Sequence, residues 1–165
     1  MVASLNVAQD WLKAGNCIVS YSDIFYQASG VESLIKECAD MAITYDPNWQ
    51  ALWQGRFNNP LDDAETFRLD SQQNLLEIGN KTKDITEIQG QYMGLLKIAP
   101  DAWKKLLQLL DDLDSTTRNN IDMTSMLNRA ILSYHLTIRA VPYMGQWGEV
   151  DSQSDLAFYQ EHFGA

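Results

Sequence analysis

Cys17-Ile18-Val19-Ser20-Tyr21-Ser22-Asp23-Ile24-Phe25-Tyr26 is the stretch on which the fold turns. Cys17–Tyr21 is a short apolar, β-branched run without Pro or Gly, and Gly15-Asn16 ahead of it is a turn signal, so the run predicts a buried strand. It stops at Ser22-Asp23. In an open parallel sheet ligands bind beyond the carboxyl ends of the strands, which puts Asp23 at a crevice. The plain alternative is an Asp that caps the next turn. A second carboxylate group, Glu149-Val150-Asp151, also follows a strand-like run far down the chain and favours the crevice.

Outward from that stretch the pattern alternates. Val2–Ala14 has helical spacing, with Val2, Leu5, Ala8 and Leu12 on one face. Ala28–Cys38 predicts a helix and Met41–Tyr45 a second strand, closed by Asp46-Pro47-Asn48. Helix and strand alternating at this pace imply an α/β fold with a parallel sheet. Asn48–Phe57 carries Trp49, Leu52, Trp53 and Phe57 on one helical face. Asn59–Glu65 is an acidic loop whose carboxylates read as solvated. Thr66–Leu69 and Leu75–Ile78 predict a hairpin, and the run Ile88–Ile98 a strand, from Gln91 on, with Gly90 and Gly94 in the run suggesting a bulge or a close approach. Helices are expected over Ala102–Leu110, Met123–Tyr134 and Ser152–Phe163, with a strand at Leu136–Val141. No repeat or linker interrupts the pattern, so residues 1–165 read as one domain.

Composition narrows the function. The chain has 165 residues, of which 45% are hydrophobic, enough for a core that buries about two-thirds of the unfolded surface. A net charge of −10 with no Lys/Arg cluster argues against nucleic acid as a partner. An anionic small substrate remains compatible, provided a metal supplies positive charge. Cys17 and Cys38 lack metal-ligand spacing and predict buried free thiols in a reducing compartment. No stretch approaches ~18 consecutive apolar residues, so no membrane span and a cytoplasmic location are expected. His135 and His162 fall in helix-terminal contexts suited to solvated or packing roles.

Four motifs now resemble a known family. Val19-Ser20-Tyr21-Ser22-Asp23-Ile24-Phe25-Tyr26, Glu77-Ile78-Gly79-Asn80-Lys81, Glu87-Ile88-Gln89-Gly90-Gln91-Tyr92-Met93-Gly94-Leu95-Leu96-Lys97 and Trp147-Gly148-Glu149-Val150-Asp151-Ser152 resemble, in order and spacing, the nucleotidyltransferases. Within that family they look like the phosphocholine cytidylyltransferase-like and capsular subgroup. The resemblance implies a Rossmann-like, mostly parallel sheet flanked by helices. It also implies transfer of a nucleoside monophosphate, CMP by subgroup, from an NTP to a phosphorylated head group or sugar for surface-polymer or lipid synthesis.

Family members open with a strand and a Gly-rich loop that wraps the nucleotide. No Gly-rich loop precedes Asp23, so the chain is similar to the last two-thirds of such an enzyme and is expected to be N-terminally incomplete. A remnant acting as a binding or oligomerisation module is the alternative function.

By the same resemblance Asp23 and Asp151 match the ligands of a magnesium ion, and Glu149 a catalytic position that holds a metal-bound water or the acceptor. Lys81 matches a residue that contacts the acceptor side or the α-phosphate, although Thr82 stands where Pro is usual. Gln89, Gln91 and Tyr92 match the acceptor-pocket strand. Tyr143 and Trp147 either face a cationic head group such as choline or pack the closing helix. If Asp23 and Asp151 serve one ion, their carboxylates must lie closer than about 10 Å, since magnesium–oxygen distances are about 2 Å. In the resembled fold the absent first strand pairs with Cys17–Tyr21, which is then left as an open edge able to form a homo-oligomer.

With no backbone-amide cradle for a triphosphate, the chain should bind nucleotide poorly. Titration with CTP, UTP, ATP and GTP in magnesium should give no affinity tighter than roughly millimolar, about −4 kcal/mol. Micromolar binding of any of them would place the triphosphate site elsewhere in this chain.

Overall fold

The computed structural model describes residues 2–164. Four strands form the main sheet: β1 (Cys17–Ser20), β3 (Met41–Asp46), β6 (Gln91–Ile98) and β7 (Arg139–Pro142), in the order β1-β6-β3-β7. β3 pairs in parallel with β7, whereas β6 pairs antiparallel with both β1 and β3. Three strands thus share one direction and β6 runs against them. β6 arrives from a hairpin, β4 (Glu65–Leu69) and β5 (Leu75–Lys81), and an antiparallel entry needs no helical crossover. Every residue of β3 is buried, as expected for a strand covered on both faces.

The helices cover both faces. On one, α5 (Pro100–Asp112) and α7 (Met123–Tyr134) bring Trp103, Leu106, Leu110, Met126 and Leu127 onto Met41, Ile43, Leu96 and Ile98, with Phe67 and Ile78 of the hairpin closing the layer. On the other, α3 (Ser29–Lys36) sets Leu34 against Ala42 and Leu95. A third, aromatic cluster joins Trp49 and Trp53 of α4 (Trp49–Arg56) to Ile88, Met93, Tyr143 and Trp147. At about 25 cal/mol for each Å² removed from water, these layers carry most of the folding energy.

The helix expected over Val2–Ala14 is broken at Ala8 into α1 (Val2–Val7) and α2 (Gln9–Ala14). Val2 and Leu12 are buried, but Val7 and Trp11 are 87% and 77% exposed, so each piece follows its own contact. One further helix, α6 (Ser115–Asn120), has no apolar periodicity. Asp114 starts it by accepting hydrogen bonds from the Thr116 and Thr117 amides at 3.0 Å. The expected buried thiols are corrected: both cysteines are free, but Cys17 is half-buried and Cys38 exposed.

Gly94 has φ of +79°, and a Cβ there would lie 2.6 Å from the Tyr21 ring. Its carbonyl accepts the Tyr21 N–H at 2.9 Å, and the β3–β6 register shifts beside it. The close approach that the glycine suggested is therefore a ring seated on a bulge. The segment after Tyr21 leaves the main sheet. It forms β2 (Ile24–Tyr26), which pairs antiparallel with β8 (Trp147–Glu149), and α8 (Gln153–Phe163) follows β8.

β1 has a single neighbour, β6, among the described residues, and its four residues include no charge and no Pro. An edge of this kind pairs with another strand. Size-exclusion chromatography with light scattering at micromolar concentration should show self-association of the chain. It should weaken when Ile18→Lys places a charge on the edge. A monomer with a cooperative thermal transition would contradict an open edge.

Candidate active site

The β2–β8 ribbon places the acidic residues. Ile24 pairs with Glu149, and the Val150 N–H donates to the Asp23 carbonyl at 2.8 Å, carrying the ladder one residue beyond the ribbon. Asp23, Glu149 and Asp151 consequently converge, with one carboxylate oxygen from each lying within 4.8 Å of the others. The cluster has the hard oxygen chemistry that suits magnesium or a similar divalent ion. Octahedral oxygens about 2.1 Å from such an ion are about 3–4.2 Å apart, so these residues fit one with small adjustments or through bound water.

Arg56, at the end of α4, sits beneath this cluster with its side chain 1% exposed. Its Nε donates to Asp155 at 2.9 Å, its Nη2 donates to Asp151 at 3.2 Å, and its Nη1 lies 3.8 Å from Glu149. Asp155 belongs to the first turn of α8, where the Ser152 hydroxyl donates to its carboxylate at 2.7 Å and accepts its N–H at 3.2 Å, a reciprocal cap. The Asp151 N–H donates to the same carboxylate at 3.2 Å. The guanidinium also lies 5.6 Å from the Trp53 ring and 5.1 Å from that of Phe57.

Arg56 meets three carboxylates, and Asp23 adds a fourth beside two of them, so the acidic group is under-compensated. Burial, then the neighbouring Asp151, push the Glu149 carboxyl up to about 7, against the pull of Arg56. Asp155 goes the other way, because hydrogen bonds from Arg56 and Ser152 outweigh its burial and hold it below the usual carboxylate range.

The other residues singled out from sequence lie apart from this cluster or are engaged by the fold. Lys81 donates to the Asp63 carbonyl at 2.7 Å and lines a cleft of about 420 Å³ with Asn59, Leu61, Asp62, Thr82 and Lys83. Gln89 Oε1 accepts the Leu69 N–H at 2.6 Å, and Gln91 donates to the Glu65 carbonyl at 2.9 Å. Tyr92 packs edge-on against Tyr21 at 5.8 Å. Tyr143 and Trp147 are buried in the aromatic cluster: the Tyr143 hydroxyl accepts the Gln27 N–H at 3.0 Å, and Trp147 Nε1 donates to Asp46 at 3.0 Å.

The acidic loop is not simply solvated, as its sequence suggested. Asp63 accepts the Trp53 Nε1–H at 2.9 Å, and Glu65 is pushed up by burial. Sequence reading missed Arg56 and Asp155. A Ser152-x-x-Asp155 cap was legible, but nothing in a lone helix-terminal arginine announces its partners.

Glu149 yields a pH prediction. Its folded carboxyl, raised to about 7 from the 4.5 of an exposed group, holds a proton that the unfolded chain has lost, so its contribution to stability declines as pH rises through that window. In buffer with chelator, Glu149→Gln should gain stability over the native chain at pH 8, on the order of 1–2 kcal/mol after solvent screening, and nothing at pH 4.5. Thermal or urea unfolding at both pH values checks this.

No family model matches the chain. A CTP:phosphoglutamine cytidylyltransferase from Campylobacter jejuni is 36% identical over 145 residues, 84% of this chain and 56% of the relative. The inositol-1-phosphate CTP transferase from T. maritima superposes with a TM-score of 0.69 at 14% identity, over 98% of this chain and 62% of that one. A putative glucose-1-phosphate thymidylyltransferase from Bacillus anthracis does so at 0.63 and 15% identity, over 95% and 58%. The chain thus spans little more than half the length of the curated relative it matches. No described helix is long and apolar enough to cross a membrane. In sequence and in fold the chain resembles the nucleotidyltransferases, over a part of their length.

Proposed function

We propose that this chain is the metal- and acceptor-binding part of a cytidylyl-transferring nucleotidyltransferase. The observation that carries the reading is the convergence of Asp23, Glu149 and Asp151 at one end of the β2–β8 ribbon. In the proposed reaction an oxygen of the acceptor's phosphate bonds to the α-phosphorus of CTP. The bond from that phosphorus to the bridging oxygen breaks, and pyrophosphate leaves with the electron pair. The acceptor phosphate is already ionised at pH 7, so alignment and charge neutralisation matter more than a strong base.

Asp23 and Asp151 are assigned to hold a magnesium ion, which supplies positive charge at the phosphates when bound. Glu149 orients a water or acceptor group at the same cluster. Lys81 is assigned to the acceptor's phosphate, exchanging its contact with the Asp63 carbonyl for an ionic one. Gln89, Gln91, Tyr92, Tyr143 and Trp147 shape the acceptor side. All five do so through contacts already named, and the polar atoms of Gln89, Gln91, Tyr143 and Trp147 are hydrogen-bonded, which makes them walls rather than free ligands. The acceptor is a small phosphorylated amide, polyol or sugar, by analogy with the relatives' substrates, and the product serves cytoplasmic steps of surface-polymer or lipid synthesis.

A binding or oligomerisation module without catalysis is the second reading, favoured by the one-sided pairing of β1. Pyrophosphate release separates the two. With several millimolar CTP, magnesium and a panel of phosphorylated acceptors, the catalytic reading expects release that Asp23→Asn or Asp151→Asn lowers at least 100-fold. No release at any acceptor, from a chain that still binds the metal, supports the module.

A further inference from the structure

Arg56 is more deeply placed than any of the carboxylates it touches. Its side chain is 1% exposed, against 9% for Asp155, 29% for Glu149 and 56% for Asp151. Each nitrogen of the fork is aimed at a different acid, on different parts of the β8–α8 corner. Asp155 is fixed by the helix cap, so the Nε contact anchors the guanidinium to α8. From that anchor Nη2 reaches Asp151, whose carboxylate is otherwise free to turn into solvent. Nη1 is buried, has no hydrogen-bond partner among the described residues, and points at Glu149 from 3.8 Å. A buried donor left unpaired is costly, which favours any arrangement that draws Glu149 toward it. A planar fork can serve three acids in fixed directions; a single ammonium cannot.

We propose that Arg56 is the positioning residue of the acidic cluster: it holds Asp151 and Glu149 turned toward Asp23 and so sets the affinity of the site for a divalent cation. The inference rests on the reading that Asp23, Glu149 and Asp151 hold such an ion. Arg56 does not touch the ion or the reacting atoms. It acts through the carboxylates, as partners behind metal ligands do when they fix ligand orientation. Its charge alone opposes a second cation nearby, so the favourable part of its action is geometric. A variant that keeps the charge and loses the fork isolates that part.

Calorimetric titration of the native chain and of Arg56→Lys with magnesium, and with manganese as a tighter probe, reads the effect. The expected result is a dissociation constant weakened 10-fold or more in Arg56→Lys, with the same number of ions bound. Equal affinity within twofold in a folded variant would overturn the positioning role while leaving the metal site standing. Failure of the native chain to bind either ion would remove the metal site itself, and with it this inference. If Arg56→Lys does not fold, NMR of the arginine Nε–H groups of the native chain decides. The Arg56 signal should be protected from exchange and should shift in step with metal occupancy. A signal that ignores saturating metal would overturn the proposal.

Discussion

The pairing of Ile24–Tyr26 with Trp147–Glu149 is the constraint on which the site depends. Those two segments lie more than a hundred residues apart in the chain, and neither belongs to the main sheet. Their ladder, extended by the bond from the Val150 N–H to the Asp23 carbonyl, is what forces like charges together. Two features offset the repulsion. The phenyl and phenol rings of Phe25, Tyr159 and Phe163 pack edge-on or stacked behind the ribbon. Arg56 supplies a buried positive charge from α4. The ribbon itself is only three residues long on each side, too short to persist alone. The aromatic packing and the ion-paired corner are therefore integral to it.

Much of the fold was legible because its signals were local. β-branched runs marked β1 and β3. The period of α7 gave its bounds to the residue, and the turn Asp70–Asn74 announced the β4–β5 hairpin. What escaped was the direction and partner of each strand. β6 carries no local mark of running antiparallel between β1 and β3, because the same buried, apolar pattern suits either direction. β2 was hidden for another reason. Ile24-Phe25-Tyr26 is too short to read as a strand, and only its distant partner makes it one.

For the site, Asp23, Glu149 and Asp151 were recognisable as carboxylates placed just past strand-like runs, and the fold brings all three together. The acceptor-side residues were harder. Gln89, Gln91, Tyr143 and Trp147 have polar atoms already bonded to backbone or to Asp46, contacts that sequence spacing does not encode. Arg56 and Asp155 were missed because their significance arises wholly from tertiary packing of α4 on α8.

Two segments far apart in sequence, Asp23 and Glu149–Asp151, are proposed to build one cation site. Paramagnetic broadening by sub-stoichiometric manganese, read residue by residue in an amide NMR spectrum, tests it directly. Signals from Asp23 and Ile24 should disappear together with those from Glu149, Val150 and Asp151, at lower manganese than those from the acidic loop around Asp62. Broadening centred on that loop, or on one of the two segments without the other, would contradict it.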